Sequence, residues 1–285
     1  MTDYYTPPGN NSMKHYLITG ASGGLGSALA RRAAAPGHRL SLWGRNLDRL
    51  AATKEQCEQQ GASVSLASLD LREHAQCRDR LRVLFADRPV DMAILNAGVS
   101  SGMSPEGGIE PAEDACRTMD VNSTAAINMA ATLLECMLTR GSGHIVFISS
   151  IAGLYPLPGS PAYSAAKAAL AYYAKGLRLR CRNTPVRISI VYPGYIETPM
   201  SRRLLGPQPM KVTAETAAAT IMDSLAAGKN CVTFPLLLAL GARFLHFMPM
   251  PLAAFFLKRF SFTVAPDGES PLAETPPKNG DASGA

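Results

Sequence analysis

From about residue 14 to residue 235, short and nearly continuous apolar runs alternate with longer stretches in which apolar positions recur every three to four residues. Runs of the first kind predict strands at 14–19 (KHYLIT), 39–43 (RLSLW), 63–67 (SVSLA), 91–96 (DMAILN), 143–149 (GHIVFIS), 186–192 (VRISIVY) and 230–234 (NCVTF). They are apolar on both faces, as expected for strands covered by helices on either side. The periodic stretches predict helices near 24–35, 46–60, 72–86, 113–139, 162–182 and 213–227. Strand and helix in strict alternation build βαβ units, so the pattern predicts an α/β fold around a mostly parallel sheet of about seven strands.

The ends break the pattern. "MTDYYTPPGNNS" is polar and lacks an apolar secretory core, which predicts a flexible N-terminus over 1–13. Residues 231–260, "CVTFPLLLALGARFLHFMPMPLAAFFLKRF", are more apolar than a helical surface needs. A membrane span requires about 20 uninterrupted apolar residues, and Arg243, His246, Pro249 and Pro251 interrupt this run. Two short helices about a proline hinge are predicted, giving an apolar helical extension at 236–262. It can lie in a membrane interface, cover a substrate cleft or pair subunits; the basic pair Lys258-Arg259 favours the first. The segment "APDGESPLAETPPKNGDASGA" is poor in apolar residues, so 263–285 is expected to be a disordered tail after a catalytic domain at 14–235.

Composition narrows this picture modestly. The 285 residues are 47% hydrophobic, enough for one large core, and the formal charge is +6 with dispersed arginines. A nucleic-acid binder would cluster its basic residues on one face, so nucleic acid is not an expected partner. Six cysteines without C-x-x-C spacing fit a reduced compartment, and Cys136 and Cys181 are expected as core fillers. No metal site is expected: His246 has no second ligand at metal-binding spacing.

Two features carry candidate chemistry. Between the first strand and its helix, "TGASGGLG" places Gly20, Gly24 and Gly26 where a backbone without Cβ atoms lets a diphosphate approach a helix N-terminus. The second strand ends "LWGRN" with no carboxylate for the ribose hydroxyls of NAD; Arg45 stands there instead and can pair with a 2'-phosphate. In "AYSAAKAAL", Tyr163 and Lys167 are four residues apart and share a helix face. A cation within about 4–6 Å favours a phenolate, which would make Tyr163 a general acid/base near neutral pH.

With "NAG" at 96–98, Asn122 in "MDVNSTAAIN", Ser150 in "GHIVFISSIAG" and "YPGYIETPM" at 192–200, these features resemble the short-chain dehydrogenases/reductases over residues 14–235. The resemblance implies a Rossmann-type, doubly wound sheet in a single domain. It also implies that Ser150, thirteen residues before Tyr163, orients the substrate oxygen, that Tyr163 exchanges the proton, that Lys167 lowers the phenol pKa and binds nicotinamide ribose, and that Asn122 holds a water. Ser150 capping the following turn is the competing reading. By similarity the cofactor is held by Gly20, Ser22, Gly24, Leu25, Gly26, Arg45, Asp70, Leu71, Asn96, Ala97, Gly98, Tyr163, Lys167, Pro193, Gly194, Ile196 and Thr198. Asp70 caps the next helix or touches adenine, and both readings stay open. "PMSRRLLGPQPMK" resembles a mobile substrate loop.

The expectation is an NADPH-dependent carbonyl reductase, with NAD(H) as the lesser cofactor. Its substrate would be a hydrophobic, lipid-derived ketone or the matching secondary alcohol. The rival readings are a non-catalytic NADP(H) sensor, a membrane-associated scaffold, an NAD-dependent alcohol dehydrogenase and a 3-oxoacyl reductase. A cytoplasmic homo-oligomer with peripheral contact to the inner face of a membrane through 236–260 is expected.

Overall fold

A computed structural model describes residues 13–104, 108–258 and 262–265. In chain order the elements are β1 (His15–Thr19), α1 (Gly24–Ala33), β2 (Arg39–Gly44), α2 (Leu47–Glu58), β3 (Ser63–Ser68), α3 (His74–Asp87) and β4 (Met92–Leu95). Then come α4 (Ala112–Met119), α5 (Ala125–Arg140), β5 (Gly143–Ile148), α6 (Pro161–Arg180) and β6 (Val186–Pro193). The last third holds β7 (Ile196–Glu197), α7 (Pro199–Arg202), β8 (Leu204–Leu205), β9 (Val212–Thr213), α8 (Ala214–Ala226), β10 (Cys231–Phe234), α9 (Leu236–Phe244), α10 (Met250–Lys258) and β11 (Thr263–Val264).

Seven strands form one sheet in the order β10-β6-β5-β4-β1-β2-β3, every neighbouring pair parallel. Successive strand residues point to opposite faces, and the two faces build separate cores. Leu17, Phe147 and Ile190 pack with Leu81 of α3, Met129 and Leu133 of α5 and Leu170 of α6. Their neighbours Ile18, Val146 and Val191 pack with Leu29 of α1, Leu50 of α2 and Ile221 of α8. This is the doubly wound, Rossmann-type arrangement expected from the alternation of runs.

Three expectations need correction. The helix predicted over 113–139 is two helices joined by a turn of π-helix at Asp120–Thr124; apolar periodicity cannot register one inserted residue, and such insertions gather at functional sites. Thr263–Val264, expected in a disordered tail, instead runs antiparallel to β8. Residues 266–285 and 1–12 lie outside the described residues. The predicted mobile loop after Thr198 holds α7 and β8, with Thr198 and Ser201 forming a capping box. All six thiols are free, Cys181 is buried and Cys136 is partly exposed.

Candidate active site

The strand order reverses between β1 and β4, and in open α/β sheets the crevice beyond the strand C-termini at such a point is the ligand site. A cavity of about 1090 Å³ occupies it. Its first wall is the glycine turn. Gly20 has φ +66°, and a Cβ there would stand 2.8 Å from the Cα of Ala97; only glycine takes that conformation at so close an approach. Thr19, which sequence reasoning missed, fixes the approach: its Oγ1 accepts from the backbone N–H groups of Asn96 (2.9 Å) and Ala97 (3.1 Å). Asn96 donates back to the Thr19 carbonyl at 3.0 Å. Across the turn, the Thr198 side chain comes against Gly24, so the segment after β6 closes over the mouth of α1.

All residues predicted to bind cofactor line this one cavity: Gly20, Ser22, Gly24, Leu25, Gly26, Arg45, Asp70, Leu71, Asn96, Ala97, Gly98, Tyr163, Lys167, Pro193, Gly194, Ile196 and Thr198. At one end stands Arg45, with Arg49 one helical turn further on. Neither guanidinium forms an ion pair among the described residues. Arg49 was not predicted, although its four-residue spacing from Arg45 was a readable signal. Asn46 caps α2, its Oδ1 accepting from the Arg49 N–H at 2.8 Å, which sets both arginines at the helix start. Asp70 does not cap α3; its carboxylate takes the Arg72 guanidinium and backbone N–H. That hydrogen-bonded ion pair holds the carboxyl below its usual range.

At the other end two adjacent serines follow β5, and both border the cavity. Ser149 is buried and donates to the Lys167 carbonyl at 2.8 Å, pinning α6 to the sheet. Ser150 lines the cavity together with the Tyr163 phenol. It also accepts from the Ala152 N–H at 3.1 Å, so the capping role weighed against catalysis is present beside it. The Lys167 ammonium donates to the Ile148 carbonyl at 2.9 Å and lies 5.8 Å from the Tyr163 ring centre.

The expected depression of the phenol pKa by this lysine is not what the pocket holds. Burial pushes Tyr163 up, with the Ser150 hydrogen bond opposing in part, and burial pushes Lys167 down to about 8. Desolvation penalises both charged forms, and the ammonium is spent on a backbone carbonyl rather than on the phenol oxygen. Asn122 lies in the π turn. It is fully buried, its Oδ1 accepts from the Val99 N–H (2.7 Å) and its Nδ2 donates to the Val99 carbonyl (2.8 Å), so its side chain clamps the post-β4 segment. It is absent from the cavity wall, which its neighbour Val121 joins.

A third missed residue is Glu110. Ser160, at the N-cap position of α6, makes no side-chain cap. The Glu110 carboxylate fills that place from another loop, accepting from the Ala162 N–H at 3.0 Å and from the Ser101 hydroxyl at 2.5 Å. A negative charge at a helix N-terminus is stabilising, and here it seats the turn that carries Tyr163. No local motif signals it, because 52 residues separate the partners.

The buried lysine has a consequence for stability. Its folded pKa of about 8 lies below the ordinary 10.5. Between those values the unfolded chain binds the proton and the folded chain does not, so stability rises with pH across that window. Below about pH 8 the cost of burying the charge is fully present. In the cofactor-free protein, melting of the parent is expected to gain on that of Lys167→Met between pH 8 and 10.5, by an amount on the order of a few kcal/mol. Melting curves that run parallel at both pH values would show that no buried ammonium titrates there.

The remaining walls come from the chain's end. Leu238, Ala242 and Leu245 line the cavity from α9 and the turn after it, and Phe256 and Leu257 from α10. His246 stays exposed while its Nε2 lies 2.5 Å from the Leu154 carbonyl and its ring meets Tyr155 edge-on. Phe262 closes the far side, where Val264 donates to the Met103 carbonyl (2.9 Å) and the Arg203 Nε to the Ala265 carbonyl (2.9 Å). Of the three uses open for the apolar extension, covering the cleft is thus realised. Among the described residues no helix is long and apolar enough to cross a membrane.

A family model described as short chain dehydrogenase matches residues 14–208. An uncharacterized oxidoreductase of Myxococcus xanthus is 33% identical over 242 residues, covering 85% of this chain and 95% of that protein. An NADP-dependent 3-hydroxy acid dehydrogenase of Salmonella typhi is 34% identical, covering 63% of this chain and 71% of its own. Among solved structures, a short-chain dehydrogenase from Sphingobium yanoikuyae in complex with NADPH superposes with a TM-score of 0.70 at 28% identity, over 79% of this chain and 89% of that one. A bulky-bulky ketone specific alcohol dehydrogenase from Comamonas testosteroni reaches 0.70 at 25% identity, over 79% and 88%.

Proposed function

This chain belongs to the short-chain dehydrogenase/reductase family and is an oxidoreductase, and we propose on that premise that it reduces an apolar ketone with NADPH. The observation that carries the proposal is the meeting of Ser150, Tyr163 and Lys167 with the glycine turn and an apolar lid around one cavity. The cavity fits a dinucleotide. The turn of Gly20, Gly24 and Gly26 leaves backbone N–H groups open at the start of α1, and Arg45 and Arg49, neither in an ion pair among the described residues, offer cations where a 2'-phosphate would lie. The NADPH in the Sphingobium structure and the NADP dependence of the Salmonella relative support that choice. When bound, the nicotinamide supplies the hydride.

The chain's own groups do the rest. Ser150 holds the substrate oxygen beside the Tyr163 phenol on the same cavity wall. Tyr163, whose pKa burial raises further above neutrality, is in the protonated state that gives H⁺ to the developing alkoxide. Lys167, with a pKa near 8, is placed to return charge and proton behind it. Leu238, Leu245, Phe256 and Phe262 exclude water and select an apolar body. The ketone specificity of the Comamonas protein favours this substrate class. A sensor without turnover would have no use for the serine, tyrosine and lysine gathered on one cavity wall.

A panel of ketones of rising size, assayed with NADPH and NADH, tests the reading. Arg45→Ala is expected to raise the NADPH KM about tenfold and leave the NADH KM nearly unchanged, since a charge-assisted hydrogen bond at an exposed site is worth about 1.5 kcal/mol. Equal loss with both cofactors would remove the phosphate from the argument.

A further inference from the structure

The two C-terminal helices are apolar on the side that faces away from the protein. Each buries a single residue, Ala239 in α9 and Ala253 in α10. Leu238 and Ala242 pack inward on the core. Outward, Leu236, Leu240, Phe244 and Phe247 follow at intervals of four, four and three residues, which makes one stripe, and Phe247 is 85% exposed. On α10, Met250 and Phe255 are 74% and 69% exposed. A helix that merely covers a core turns polar residues to water, and these do not.

Two observations say what covers this face. Residues 231–258 contain no aspartate or glutamate, while Arg243 and Lys258 are exposed among the apolar side chains. Leu237, Phe244 and Phe256 are exposed on this surface and also line the cavity, so the apolar face is the rim of the cavity mouth. A second copy of the chain would set Arg243 and Lys258 against themselves in a two-fold contact with no acid to answer them, and it would cork the mouth. Apolar side chains flanked by cations instead suit an anionic lipid surface. We propose that α9 and α10 dock on an anionic bilayer and open the cavity mouth toward the lipid, from which an apolar substrate enters. The docking stands on the surface alone; the entry of substrate rests on the reductase reading.

Vesicle flotation of the full chain tests the docking without turnover. Binding to phosphatidylcholine vesicles containing phosphatidylserine is expected to exceed binding to phosphatidylcholine alone by about thirtyfold, two cations adding roughly that much. Phe247→Ser with Phe255→Ser, neither of which lines the cavity, is expected to lower binding about a hundredfold while melting and turnover of a small water-soluble ketone stay unchanged. Arg243→Glu with Lys258→Glu is expected to abolish the preference for phosphatidylserine and keep the fold. Parent protein that floats with neither vesicle would overturn the proposal. So would a phenylalanine pair variant that floats as well as the parent, or one whose light-scattering mass falls from dimer to monomer, since the face would then be a subunit contact. Absence of ketone turnover alongside intact flotation would sink the reductase reading and leave the docking standing.

Discussion

Tyr163→Phe is expected to lose turnover by about a hundred- to ten-thousandfold, the usual span for a positioned acid/base, while binding NADPH with unchanged Kd. The substitution removes one oxygen and keeps the ring, so the packing of α6 against Gly153 and the Ile148 carbonyl's bond to Lys167 persist. What disappears is the hydroxyl that lines the cavity beside Ser150. The pH dependence follows from the same burial. The phenol pKa is raised, so ketone reduction, which uses the protonated form, should be flat through neutrality. Alcohol oxidation needs the phenolate and should climb with pH into the alkaline range. Fluorescence titration of NADPH together with rates in both directions gives the comparison. A variant that retains most of its turnover would place the proton donor elsewhere.

Gly26→Ala should be the most damaging single methyl in the glycine turn. The new Cβ would run into the Gly20 carbonyl oxygen and stand 2.7 Å from the Asn96 amide nitrogen. Neither neighbour can yield. Gly20 is held in the left-handed region against Ala97, and Asn96 is tied to the Thr19 carbonyl. Overpacking of this kind costs about 1–3 kcal/mol, enough to lower Tm by several degrees, and it displaces the start of α1, so NADPH affinity should fall at least about tenfold. Gly23→Ala is the control for stability, because its Cβ would meet only the Gly20 oxygen at an ordinary 3.4 Å. If both variants melt like the parent, the turn has slack that the contacts deny.

Local order in the chain explains which parts of this molecule were readable beforehand. The strands and helices of the domain follow from apolar periodicity, and β5, β6 and α6 fall within two residues of expectation. The cavity lining from Gly20 to Thr198 was legible because its members stand at strand ends, where a doubly wound sheet gathers them. The π turn was not, since it changes hydrogen-bond register without changing which residues are apolar. Glu110 capping α6 and Thr19 tying β1 to β4 depend on partners 52 and more than 70 residues away, and no short motif announces them. The sign of the Tyr163 shift was misjudged for a related reason: the spacing of two side chains says nothing of how much water the fold leaves around them. The lid role of α9 and α10 was one of three readings, with a membrane interface favoured, until the cavity showed which side of each helix faces inward.

The pairing of β11 with β8 gives the entrance two unlike jambs. On one side the Val264 N–H, the Ala265 carbonyl and Arg203 knit main chain to main chain around Phe262. On the other stand only side chains of two short helices, free to change rotamer. Bulk added to a guest molecule should therefore be tolerated toward the helices and refused toward the strand, so that chirality at the reacting carbon is dictated by the unyielding post.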